Sequence, residues 1–214
     1  MTDSTKPELV HDKLVFDWNE FGRKGRIIPP GITFFDETLR DGLQNPSVDD
    51  PSIDKKLELL HLMAKIGIHA ADIGLPCSSQ RAFDDVLRMC QEIKDNNLPL
   101  GVACAGRTVV SDITPMIEIS QKAGMPVEVY TFIGSSPIRQ FAEGWDLDVI
   151  LKHSAEAIDV AVKAGLEVAY VTEDTTRARP ESLASLFKMA SITASHGCAF
   201  ATRWDTRRPT ACGT

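Results

Sequence analysis

One feature narrows the folds open to this chain more than any other. Short apolar, β-prone runs alternate with amphipathic helical stretches, and each run ends in polar residues. Residues 32–35 form the first such run, ending at Asp36, and residues 52–66 read as the first helix. Ser52 is placed to cap it, Lys56 falls in its first turns, and Leu57, Leu59, Leu60, Leu62 and Met63 supply an apolar stripe. The pattern recurs with strands at 70–74, 98–105, 127–133 and 166–172. Helices follow at 81–94, 111–123, 147–164 and 180–190, with Pro180 suited to a first turn. Such alternation implies parallel strands joined by right-handed crossovers. The strand runs end in DETLRD, DIGLP, CAGR, GSSP and TEDTTR. In α/β folds the carboxyl ends of the strands carry the ligands, so these segments are where chemistry is expected. Spacing alone leaves an open doubly wound sheet and a (β/α)8 barrel both standing. No GxGxxG and no GxxxxGK[ST] motif is present to favour a nucleotide-binding open sheet.

Composition sets the outer limits. Of 214 residues, 43% are hydrophobic and 25% charged, which is globular and excludes a disordered or low-complexity chain. The net charge of −7 argues against a nucleic-acid or anionic-membrane partner. No apolar run reaches the ~20 residues of a transmembrane helix. The opening MTDSTKPELVHDK lacks an apolar signal core, so the expected location is cytoplasmic. Cys77, Cys90, Cys104, Cys198 and Cys212 are odd in number and form no CxxC, which reads as reduced thiols. Residues 1–30 read as a polar leader.

The polar clusters each admit two readings. Asp36 to Gln44 is a solvated loop, or it offers a carboxylate for a hard divalent cation beside the fixed positive charge of Arg40. Glu173 to Arg177 is a loop whose Asp or Thr caps a helix, or it supplies a second acid–base carboxylate at the same mouth. Asp72 sits in an otherwise apolar strand, where an ionisable group needs a partner. Gly134 to Pro137 offers hydroxyls, or is a turn. His11, His61, His69, His153 and His196 form no HxH or HExxH; His61 and His153, on helices, read as structural. Cys104 reads as a small core residue, and the basic run Gly22 to Arg26 as a solvated loop.

The string D-x-T-L-R-D-G-x-Q at residues 36–44 resembles the first-strand signature of the DRE-TIM metallolyase superfamily. That group holds 2-isopropylmalate, homocitrate and citramalate synthases and hydroxymethylglutaryl-CoA lyase. Asp72 to Pro76 with Ser78 and Ser79 resembles the synthases' second-strand E-A-G-F-P-x-S-S, and Glu173 to Arg177 their fifth-strand E-D-x-x-R. The resemblance runs from about residue 31 to 194. It implies a (β/α)8 barrel, of which this chain holds about the first five βα units. It implies a Claisen condensation of acetyl-CoA with a 2-oxo acid, assisted by a divalent metal (Mg, Mn or Zn), in an intact homodimeric enzyme. Asp41 then binds the metal, Arg40 stabilises the enolate or alkoxide, Glu173 sits at the reacting centre, and Gln44, Asp72 and Arg177 contact substrate. Two departures stand out. Leu43 replaces the synthases' Glu in G-E-Q and gives the lyase-like G-L-Q-N, and Asp72 is one methylene shorter than the family's Glu.

The superfamily's H-x-H metal ligands are missing, which predicts weak metal binding and little activity. A C–C bond lyase of the hydroxymethylglutaryl-CoA type is one alternative role, and a non-catalytic paralogue that binds a full-length partner is another. After Ile192 there is no Leu, Ile or Val. Codons exist for residues 201–214 that read DTVGHATPDGVRN in a shifted frame, resembling the superfamily's sixth-strand D-T-V-G-x-A-x-P. The expectation is a partial barrel domain at 31–194 and a frameshifted, unstructured tail at 195–214.

Overall fold

The computed structural model describes residues 33–193 and 197–200. Six strands appear in chain order: β1 (Phe35–Asp36), β2 (Ala70–Asp72), β3 (Gly101–Arg107), β4 (Glu128–Ile133), β5 (Val168–Thr172) and β6 (Gly197–Phe200). Between them lie α1 (Ile53–Ile66), α2 (Gln80–Asp95), α3 (Val110–Ala123), α4 (Pro137–Glu143), α5 (Leu147–Lys163) and α6 (Pro180–Ile192). All pairings are parallel, and the strand order is simply β1-β2-β3-β4-β5-β6. That order decides between the two architectures. A doubly wound sheet reverses its strand order at a switch point, whereas a barrel adds each strand beside the last. The described chain is an arc of a (β/α)8 barrel.

Strand residues alternate between two faces. Ala71, Ile73, Cys104, Val129, Val168 and Tyr170 are buried beneath the helices. Tyr170 shows the packing: its hydroxyl lies 2.9 Å from Ser154 Oγ on α5, and its ring meets Phe187 of α6 edge-on at 6.1 Å. The opposite face carries Phe35, Asp72, Ala103, Tyr130 and Phe132, by strand register. Phe35 and Tyr130 stack there with centroids 4.9 Å apart.

The helices start and stop where local chemistry dictates. Gly67, Gly124 and Gly144 take left-handed conformations just past α1, α3 and α4. Ser79 caps α2 by accepting from Ala82 N at 3.1 Å, and Asp146 caps α5 through Val149 N at 2.9 Å. Ser52 precedes α1 as expected, but its side chain makes no cap bond; its carbonyl accepts from Lys55 and Lys56 instead. Pro180 opens α6.

Several expectations need correction. The first strand is only Phe35–Asp36. The third is shifted toward its carboxyl end, because Leu98 and Leu100 bond into the preceding turn. The loop 134–137 leads into α4, with Ser136 capping Arg139 N at 3.2 Å. Four residues of the tail expected to lack structure, Gly197–Phe200, pair with β5 as β6. The leader 1–30, the Gly22 to Arg26 run, His11, His196, Cys212, the Cys198 side chain and residues 201–214 lie outside what the structure describes. Cys77, Cys90 and Cys104 are free thiols, and Cys104 is a fully buried core residue, as read from sequence. No helix among the described residues is long and apolar enough to cross a membrane.

Candidate functional site

The segment after β1 is folded by its own polar groups. Asp36 Oδ1 accepts from Thr38 N at 2.8 Å, an Asx turn that reverses the chain. Glu37 carbonyl accepts from Arg40 N and Gly42 N, and a 3-10 turn follows over Gly42–Gln44. Leu39 is buried at 3% exposure, so it pins the loop to the core. Its neighbour Arg40 is thereby fixed above the strand ends.

Arg40 is the centre of the cluster. Its Nε donates to Asp72 Oδ2 at 2.8 Å, its Nη1 to Asp41 Oδ1 at 3.0 Å, and its Nη2 to Glu37 Oε2. Asp72 is completely buried and also accepts from Gly74 N at 3.2 Å. Burial pushes its carboxyl up to about 7, against the opposing pull of Arg40. Burial likewise raises the Glu37 carboxyl. Tyr130 is pushed up to about 12, by burial first and then by the charges of Glu128, Glu37 and Asp72. The tyrosine therefore stays protonated at neutral pH. Gly74 has φ of 153°, and a Cβ there would lie 2.8 Å from Val86 Cγ2. Glycine is what lets the loop after β2 run against α2.

A second cluster joins β4 to β5. Asp174 Oδ1 accepts from Ser135 N at 2.7 Å, Ser135 Oγ at 3.2 Å and Ser136 N at 3.1 Å, and its Oδ2 from Ser136 N at 3.0 Å. Burial raises the Asp174 carboxyl, but these hydrogen bonds outweigh it and hold the group below the usual range. The cap role expected for this residue is replaced by a bracket across two strand ends. Next to it, Glu173 N donates to Ile133 carbonyl at 3.1 Å, extending the ladder by one residue. At the end of β3, Arg107 forks onto the buried Asp112 at 2.8 and 2.9 Å.

The sequence-derived residues thus separate. Arg40, Asp41 and Asp72 are brought together, and Asp72 has the partner its burial demands. Gln44 is exposed and shares with Arg40 a cleft of about 340 Å³ between α1 and α2, lined also by Lys56, Ser79, Arg81 and Asp85. Glu173 and Arg177 stand at the end of β5, Arg177 exposed. His61 is half-exposed and bonds to Glu92 at 2.9 Å, and His153 meets Trp145 edge-on. Glu37, Asp174, Arg107 and the near-buried Lys56, held 2.8 Å from both Asp50 and Asp85, were not singled out as site residues from sequence. Their signal lay in the strand-end segments themselves, which name the region but not the pairing.

A divalent cation needs about six oxygen ligands. Asp41 is 66% exposed and already shared with Arg40, and no cluster of three or more His, Cys, Asp or Glu that could hold a metal occurs among the described residues. These residues alone do not fit a resident metal.

Comparison with known proteins adds the following. The family model described as HMGL-like matches residues 31–202. Homocitrate synthase AksA of Methanopyrus kandleri is 29% identical over 164 residues, 76% of this chain and 39% of that protein. 2-Isopropylmalate synthase of Lactococcus lactis is 31% identical over 160 residues, 71% of this chain and 29% of that protein. The chain therefore spans well under half the length of these curated relatives. Among solved structures, HMG-CoA lyase of Bacillus subtilis superposes with a TM-score of 0.63 at 16% identity, covering 80% of this chain and 58% of that one. HMG-CoA lyase of Brucella melitensis gives 0.59 at 15%, covering 78% and 60%. At such identities the likeness concerns the fold.

Proposed function

This chain belongs to the HMGL-like family, and from that premise we propose that its parent protein condenses an acyl-CoA, acetyl-CoA in the simplest case, with a 2-oxo acid. The observation that carries the proposal is the guanidinium of Arg40, fixed by the buried Asp72 at the carboxyl ends of β1 and β2. A fixed guanidinium stabilises oxygen charge as it develops, which an enolate or alkoxide intermediate requires. In this reading a base removes a proton from the acetyl methyl. The enolate carbon attacks the ketone carbon of the 2-oxo acid, and water then cleaves the thioester to release free CoA.

Asp72, expected from sequence to contact substrate, is wholly buried with one oxygen on Arg40 and the other on Gly74 N, so its part is to orient Arg40. Gln44 and Arg177 contact substrate, while Glu173 stands at the reacting centre. A divalent metal belongs to the proposal through Asp41, and its remaining ligands would come from beyond the described residues. The intact protein is proposed as a cytoplasmic homodimer. The relatives named as 2-isopropylmalate and homocitrate synthases support this reading over others.

A second reading has its own support. The Leu43-Gln44-Asn45 run matches the lyase branch, which would cleave a C–C bond of a hydroxyacyl-CoA. Thiol release from acetyl-CoA on addition of 2-oxo acids separates the two readings. The assay is run on this chain and on its Arg40→Ala variant. Thiol release that is lost in Arg40→Ala supports condensation. Cleavage of hydroxymethylglutaryl-CoA without thiol release overturns it.

A further inference from the structure

A guanidinium has five N–H donors on three nitrogens. In this chain each nitrogen of Arg40 already holds a carboxylate: Nε holds Asp72, Nη1 holds Asp41, and Nη2 holds Glu37. The three contacts are not equivalent. Asp72 is wholly buried and is tied a second time through Gly74 N. Its hold on Nε is permanent in the folded state. Glu37 is 40% exposed, so its contact with Nη2 can be exchanged for one with a ligand. One cation among three carboxylates also leaves the cluster with excess negative charge even with Asp72 partly protonated near neutral pH, so an incoming anion is repelled unless one carboxylate gives way.

We infer that Glu37 is a resident competitor for the oxyanion edge of Arg40: its carboxylate occupies the Nη2 position that a carboxylate or enolate ligand takes, and so sets how tightly, and for which anions, the site binds. Glu37 occupies the open position x of D-x-T-L-R-D, so the motif itself does not require an acid there. A dicarboxylate or 2-oxo acid, able to contact two guanidinium nitrogens at once, displaces Glu37 more readily than a simple monocarboxylate does. The inference rests on the proposed reading only in taking Arg40 as the oxyanion-binding group.

The test is calorimetric titration of the full chain with oxalate, and with acetate for comparison, in chelator at low salt. Glu37→Gln keeps the shape of the side chain and removes its charge; Glu37→Ala removes both. Competition predicts that oxalate binds Glu37→Gln about tenfold tighter than the parent chain, given the strength of a screened charge contact. Acetate should gain less, and the gain should vanish in the Arg40→Met, Glu37→Gln double variant. A role for Glu37 as a mere anchor for Arg40 predicts the opposite: oxalate affinity unchanged or lower in both Glu37 variants. That result overturns the inference, as does a gain that survives loss of Arg40, or no oxalate binding by any variant. Failure of the condensation assay alongside a clear oxalate gain would sink the proposed reaction and leave the competitor standing.

Discussion

Asp72 is the residue whose chemistry is most exposed to measurement. Its carboxyl titrates near 7 in the folded state, against 3.8 for the free group. Between those values the folded chain binds a proton that the unfolded chain has released. Stability from this group is therefore complete at acid pH and is lost as pH rises through about 7. The loss is on the order of 2–4 kcal/mol. Asp72→Asn removes the titration. The stability difference, variant minus parent, should rise from pH 5 to pH 8 in urea-unfolding curves; a flat difference would show that Asp72 is fully ionised by its ion pair. Asp174 has the opposite sign: its depressed carboxyl stabilises above the unfolded value and loses that effect as pH falls. At this scale the sequence was partly legible. An acid in an apolar strand demands a partner, and Asp72 finds it in Arg40, whose motif lies 32 positions away. The competing claims of Glu37 and Asp41 on the same guanidinium could not be read, because which nitrogen meets which oxygen depends on the turn that Asp36 and Leu39 impose.

Elements were legible where period and length were strong. The long helices α1, α2, α3, α5 and α6 fall within a few residues of their sequence-derived limits, because each buries an apolar stripe under the sheet. The short α4 was read only as a possible turn, though its signals stood in the chain: Ser136 at the cap, Pro137 at the first turn and Gly144 beyond the end. Strand β6, Gly-Cys-Ala-Phe, has no branched residue to mark it. What joins elements at the strand ends was not legible, and the Asp174 bracket is the main instance. Ser135 and Ser136 are buried, so Asp174→Ala leaves two backbone N–H groups without their acceptor. The cost should be about 2–6 kcal/mol, from roughly 1–3 for each of the two orphaned donors. Amide exchange at Ser135 and Ser136 should quicken while Val129 stays protected. Equal quickening across β4 would instead mean that the strand itself depends on the bracket. The loop after β2 makes a parallel case. Gly74→Ala must meet Val86 at 2.8 Å in a backbone conformation that alanine disfavours, so a loss of roughly 1–3 kcal/mol is expected. A Val86→Ala background should recover part of it.

As a whole molecule, the described chain is an arc, and an arc has ends. β2 to β5 each pair on both sides, whereas β1 and β6 pair on one side only among the described residues. Parallel strands normally lie buried on both faces, and an unpaired edge is a template for another chain. The β1 edge also carries Phe34, 63% exposed, beside a concave face that holds Phe35, Tyr130 and Phe132 only partly buried. Among the described residues, backbone groups without a strand partner and exposed apolar area lie together at this edge, so they should act together. The net charge of −7 opposes association at low salt, and screening weakens that opposition. The chain should therefore self-associate with rising concentration, more strongly at high salt. Sedimentation velocity should show the average mass climbing under both changes. Phe34→Lys puts a charge on the edge without touching the core, and it should return the chain toward monomer while leaving its helical signal intact. A monomer at every concentration and salt would mean that both edges are covered by parts of the chain beyond the described strands. Association that Phe34→Lys leaves untouched would move the contact away from the β1 edge, to the β6 side or to the exposed Ile138 and Phe141 of α4.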